Sequence, residues 1–97
     1  RFYLNMSLLN KVKIQQNLKN LNGWELKGST IIKKIKFRSY MDSIDFINAL
    51  AIKSEELNHH PDMFVGWCVI EISFTSHDKG GVTFDCIHMA QFVESIL

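Results

Sequence analysis

Residues 63–75 read Met-Phe-Val-Gly-Trp-Cys-Val-Ile-Glu-Ile-Ser-Phe-Thr, and in them Cys68, Ile70, Ile72 and Phe74 alternate with Val69, Glu71, Ser73 and Thr75. A period of two sends alternate side chains to opposite faces of a sheet, so the second part of this run predicts a strand with one apolar face. Met63 to Trp67 predicts a shorter strand before it, with Gly66 as a bend or bulge. Paired strands of this kind set the fold class, provided that the flanking sequence supplies helices to cover one face.

On the C-terminal side, His77 falls just past the strand and Asp78-Lys79-Gly80-Gly81 is a turn. Thr83 is a helix N-cap, and Ile87, Ala90, Val93, Ile96 and Leu97 form the apolar face of a last helix. On the N-terminal side, His59-His60-Pro61 ends a helix running from Ser39 to about Leu57, because the residue before a proline is pushed out of the helical region. Tyr40, Ile44, Ile47 and Ala51 line one face of that helix, and Phe46, Leu50 and Leu57 line a neighbouring one. So wide a stripe exceeds one core contact and predicts a homodimer or homotetramer packed through this helix. Upstream, Trp24 and Leu26, then Ile31, Lys33, Ile35 and Phe37, predict two strands turning at Lys27-Gly28-Ser29. A first helix is expected from about Ser7, as N-cap, to Leu21, with Asn22-Gly23 as its stop. The order is helix, strand, strand, helix, strand, strand, helix. It predicts an α+β domain over residues 1–97: a four-stranded antiparallel sheet with three helices packed on one face.

Composition narrows the function. Eleven basic and ten acidic residues leave a formal charge of +1, which does not supply the basic field of a nucleic-acid binder. Cys68 and Cys86 are the only cysteines, too few for the disulfide framework of a small secreted domain. No apolar run approaches the roughly 20 residues of a membrane span. The expectation is a cytoplasmic protein with a neutral or small partner.

Three of the four histidines fall at element ends, where a scaffold can aim them at one point: His59 and His60 after a helix, His77 after a strand. Imidazole titrates at roughly 6.5, so it donates or accepts protons near neutrality. Glu55, one helical turn before His59, is placed to orient or charge-couple to that ring. Two other readings use the same residues. Adjacent histidines at a helix end can simply serve its last carbonyls and its dipole. His59, His60, His77 and Cys86 are also zinc-ligand types, although no Cys-x-x-Cys or His-x-x-x-His spacing accompanies them. His88, inside the last helix, reads as ordinary surface or interface.

The ordered set Glu55-x-x-x-His59-His60-Pro61, a strand, then Ser76-His77-x-x-Gly80-Gly81-x-Thr83 resembles the signature of the pterin-4a-carbinolamine dehydratases. Gly23-Trp24, Phe37, Phe46, Leu50-Ala51 and Ala90 also fall where that family's pattern has them, and the likeness extends from Leu9 onward. The resemblance implies an enzyme that removes water from a 4a-hydroxytetrahydropterin to give the quinonoid dihydropterin, in tetrahydrobiopterin recycling, with no cofactor and no metal. By that analogy His59 and His77 are the acid-base pair, His60 chiefly positions the pterin, and Glu55 tunes or assists them. Pro61, Ser76, Trp24 and Trp67 are then candidate substrate contacts. Family members also act as dimerisation cofactors of a homeodomain transcription factor, which implies a possible protein partner and, with it, a nuclear location.

Three positions depart from the family pattern. Ser76 stands where threonine is usual, Trp67 where tyrosine is more frequent, and Cys86 where aspartate is usual. At that last position an aspartate would complete a capping-box-like helix start, so the cysteine is expected to weaken a cap and leave the chemistry intact.

Overall fold

The computed structural model describes residues 7–97. The elements, in chain order, are α1 (Lys11–Leu18), β1 (Glu25–Lys27), β2 (Thr30–Lys36), α2 (Tyr40–Leu57), β3 (Asp62–Gly66), β4 (Val69–Phe74) and α3 (Phe84–Ile96). The four strands form one antiparallel sheet in the order β1-β2-β4-β3, so the α+β architecture is the expected one.

Alternation in the two central strands decides where the core lies. Ile31 and Ile35 of β2 and Ile70, Ile72 and Phe74 of β4 are buried on one face, while Lys34, Lys36 and Glu71 on the other face are exposed. Phe46 and Leu50 from α2, and Cys86, Ile87, Met89, Ala90 and Val93 from α3, complete the same apolar cluster. At about 25 cal/mol per Å² of apolar surface removed from water, each such aliphatic side chain stabilises the fold by about 1.5–3 kcal/mol.

Several boundaries differ from the expectation, each for a local reason. The first helix begins at Lys11 and not near Ser7, because the Asn10 side chain accepts from the Lys13 N–H at 2.8 Å and caps the helix there. It ends at Leu18, although Leu21 remains buried through the following turn. Gly66 is no bulge: it pairs with Val69 in the ladder, and the chain reverses through Trp67 and Cys68, with Cys68 in the left-handed region at φ 61°. A Cβ at Gly66 would meet Val69 Cγ1 at 3.0 Å, so the glycine provides close approach at the hairpin end. In consequence β4 starts at Val69 and leaves Cys68 outside it.

Helix α2 begins as expected, with Ser39 Oγ accepting from the Asp42 N–H at 3.0 Å. Its stop comes before the proline. Asn58 takes the left-handed conformation (φ 50°, ψ 46°), and the His59 N–H donates back to the Ser54 carbonyl at 3.0 Å. Of the two expected apolar faces of α2, Phe46 and Leu50 enter the core and Ile47 and Leu57 pack partly buried against it, whereas Tyr40 of the first face, and Met41 and Ile52, which belong to neither, remain 46%, 61% and 66% exposed. Thr83 is the N-cap residue of α3 by backbone geometry, but its hydroxyl makes no capping bond and is used elsewhere. No helix among the described residues is long and apolar enough to cross a membrane.

Candidate active site

The left-handed turn at Asn58 sends two consecutive histidines in different directions. His59 is turned inward, is 9% exposed and stacks on Phe74 with ring centroids 6.0 Å apart. His60 stays at the surface, and its Nε2 meets Glu55 Oε2 at 2.5 Å. The expected partnership of Glu55 with His59 is therefore replaced by one with His60. Helical spacing would bring residue 59 over residue 55, but the helix ends at Leu57 and the turn carries His60 back to that place.

His77 arrives from the other side of the sheet's end. β4 stops at Phe74, and a turn then closes on itself: Ser76 and Gly81 form an isolated bridge, and the Ser76 carbonyl accepts from the N–H groups of Lys79 and Gly80, both at 2.9 Å. Gly80 has φ 76°, which this turn requires and which glycine adopts without steric cost. The tight closure holds His77 at the rim, with its Nε2 3.6 Å from Asp62 Oδ2 at the start of β3.

Between these groups lies an open cavity of about 310 Å³, whose walls include His59, His60, Pro61, Asp62, Ser76 and His77. That volume falls at the small end of the range for small-molecule sites. Five of the candidate residues, His59, His60, His77, Pro61 and Ser76, thus share one cavity, and Glu55 reaches it through His60. The tryptophans do not share it. Trp24 is a core residue, 5% exposed, stacked on Phe74 and donating from Nε1 to Glu94 Oε2 at 2.9 Å. The same carboxylate binds Lys33 Nζ at 2.6 Å, so Glu94 ties β2 to α3 as well. Trp67 sits 82% exposed at the β3–β4 turn, the opposite end of a five-residue strand from Asp62, or about 17 Å away at strand rise.

Cys86 makes a contact that the expectation of a weakened cap did not include. It is no mere cap position: it is wholly buried, and its Sγ lies 3.4 Å from His59 Nε2. Ser76 Oγ and Thr83 Oγ1 hydrogen-bond at 2.7 Å next to it, with the sulfur 3.7 Å and 3.9 Å from them. Asp62 is the site residue that the sequence reading passes over, whereas Cys86 was grouped there with the three histidines only as a zinc-ligand type. Cys86 lies three residues after the N-cap Thr83, so both face the same side of the first helical turn, and that periodicity was the available signal.

Among the described residues no three His, Cys, Asp or Glu side chains are grouped to hold a metal ion. The arrangement offers imidazoles, a serine hydroxyl and carboxylates around one small cavity, which suits proton transfer to and from a bound small molecule.

Comparison with known proteins agrees on one family. The model described as Pterin 4 alpha carbinolamine dehydratase matches residues 7–96. A Mycobacterium bovis protein carrying the provisional name pterin-4-alpha-carbinolamine dehydratase is 33% identical over 91 residues, covering 94% of this chain and 97% of the relative. A similarly named protein of Nostoc is 34% identical over 89 residues, covering 92% of this chain and 96% of its own length. Among solved structures, a transcriptional coactivator/pterin dehydratase from Brucella melitensis superposes with a TM-score of 0.89 at 27% identity, covering 93% of this chain and 98% of that one.

Proposed function

Because the chain belongs to the pterin-4a-carbinolamine dehydratase family, we propose that it dehydrates a 4a-hydroxytetrahydropterin to the quinonoid dihydropterin, as a step of tetrahydrobiopterin recycling. The observation that carries the reading is the convergence of His59 and His60, from the turn after α2, and His77, from the turn after β4, on one cavity of about 310 Å³. The reaction breaks the C4a–O bond. A proton goes to the leaving hydroxyl, the proton on N5 is taken up, and the electron pair of the N–H bond forms the C4a=N5 double bond as water departs. Two groups titrating near neutrality on the pterin edge are sufficient for this.

In this reading His59 and His77 exchange the two protons. His60 positions the pterin, held in place by Glu55 at 2.5 Å. Pro61 and Ser76 contribute wall and hydroxyl. The whole of residues 1–97 is taken as one such domain; residues 1–6 lie outside the described ones. The exposed Tyr40, Met41 and Ile52 of α2 support a homodimer or homotetramer through that helix. The sparse cysteines suit the cytoplasm.

The deciding experiment adds freshly generated 4a-carbinolamine to the purified protein and follows the appearance of the quinonoid product. A rate above spontaneous dehydration in buffer is expected, and a rate equal to it removes the enzymatic reading. The alternative, an interaction module that acts as a dimerisation cofactor of a transcription factor, draws on the same exposed face of α2. It predicts that His77→Ala keeps full function in the cell, whereas the enzymatic reading predicts loss of activity with unchanged oligomer size.

A further inference from the structure

Two of the three cavity histidines have a carboxylate at their exposed edge, Glu55 for His60 and Asp62 for His77. The buried one, His59, has a thiol at its Nε2 among its contacts. Cys86 Sγ lies 3.4 Å from His59 Nε2, and the sulfur belongs to no cavity wall. It is held in place from two directions: the Cys86 N–H donates to the Thr83 carbonyl at 3.1 Å in the first turn of α3, and the Ser76–Thr83 hydroxyl pair abuts the sulfur. His59 is equally constrained, by its bond from N–H to Ser54 and by stacking on Phe74.

We propose that Cys86 is a positioning residue for His59, fixing the rotation and tautomer of the imidazole through Nε2, and that its neutral thiol leaves the ring less biased toward imidazolium than a carboxylate there would. The inference rests on the proposed dehydration for its catalytic meaning, but the coupling itself is a property of the protein without substrate. A thiol is a weak donor and a weak acceptor, so it can orient a ring without adding a net charge. A carboxylate at hydrogen-bond distance favours the protonated imidazole. Among the described residues, the other titratable groups facing this part of the site include His60, Asp62, His77 and Asp78 on the cavity, Glu55 behind His60, and Asp85 beside Cys86 in the first turn of α3. All of these are retained when residue 86 alone is changed, so a change in His59 reports on that position.

The test titrates the His59 ring by NMR in the full chain, in parent, Cys86→Ala, Cys86→Ser and Cys86→Asp, alongside kcat, KM and the pH profile. Cys86→Asp is expected to raise the His59 midpoint by about one pH unit, a tenfold gain in proton affinity, and to move the acid limb of kcat/KM upward by the same amount. Cys86→Ala is expected to alter the ring's tautomer signature and lower kcat about tenfold with KM within twofold, and Cys86→Ser to restore part of kcat. Cys86→Ser also serves if Cys86→Asp does not fold, because its shorter reach changes the Nε2 contact at nearly constant volume. An unchanged His59 titration and tautomer in every folded variant overturns the proposal. If the ring responds while the parent protein fails to dehydrate carbinolamine, the positioning contact stands and the pterin function is what falls.

Discussion

His59 and His77 reach the same cavity under different constraints, and their substitutions should differ accordingly. His77 is exposed on a turn closed by backbone hydrogen bonds that do not involve its side chain, so His77→Ala should leave folding intact and lower kcat by about 10²-fold or more, checked by steady-state kinetics beside circular dichroism. His60→Ala, which removes a group assigned to positioning, should act mainly on KM, and Glu55→Gln should produce a milder version of the same change. Equal loss of kcat from all three would show that the division of roles is wrong. At this scale three imidazoles were singled out by residue type and position, and Pro61 and Ser76 by the family resemblance, and the five do share a cavity. The sequence was not legible where contact depends on how elements pack. Glu55 was paired with His59, whereas the exact end of α2 gives it His60, and Cys86 was read as a cap position or a zinc-ligand type because only the docking of α3 against the end of β4 turns its sulfur toward His59.

Among the elements, the end of α2 has the largest leverage on the site. Asn58 occupies the left-handed region, where a residue with a Cβ other than Asn or Asp costs about 1–2 kcal/mol. Asn58→Ala should therefore lower the unfolding free energy by about 1 kcal/mol in urea and also depress activity, since the same turn aims His59. Asn58→Gly should keep both within error of the parent. The strands were read correctly from alternation in Ile70, Ile72 and Phe74, because a half-buried strand writes its own period. The hairpin turn escaped that reading. A glycine at 66 fits a bulge or a close approach equally well, and only the pairing of Gly66 with Val69 distinguishes them. The start of α1 escaped it too, since both Ser7 and Asn10 are good caps and nothing local ranks them.

On the scale of the whole molecule, the apolar side chains left outside the core set the expectation for assembly. Ile52 is 66% exposed in the middle of α2, and Ile52→Glu should reduce the oligomer mass measured by sedimentation while leaving the His59 cavity and the monomer fold intact. An unchanged mass would place any interface elsewhere than this helix. The fold class and order of elements were legible across the described residues, whereas the outward face of α2 was not, because residues of both expected stripes, Ile47 as well as Phe46 and Leu50, pack on the core and the exposed Met41 and Ile52 lie outside either stripe. The placement of the two tryptophans carries a last consequence, an optical one. Trp24 is enclosed beside Phe74 and Glu94, and Trp67 projects into solvent at the far hairpin, so the emission of the native protein is the sum of a blue component and a red, quencher-accessible one. Trp67→Phe isolates the interior indole and converts the chain into its own reporter of core integrity.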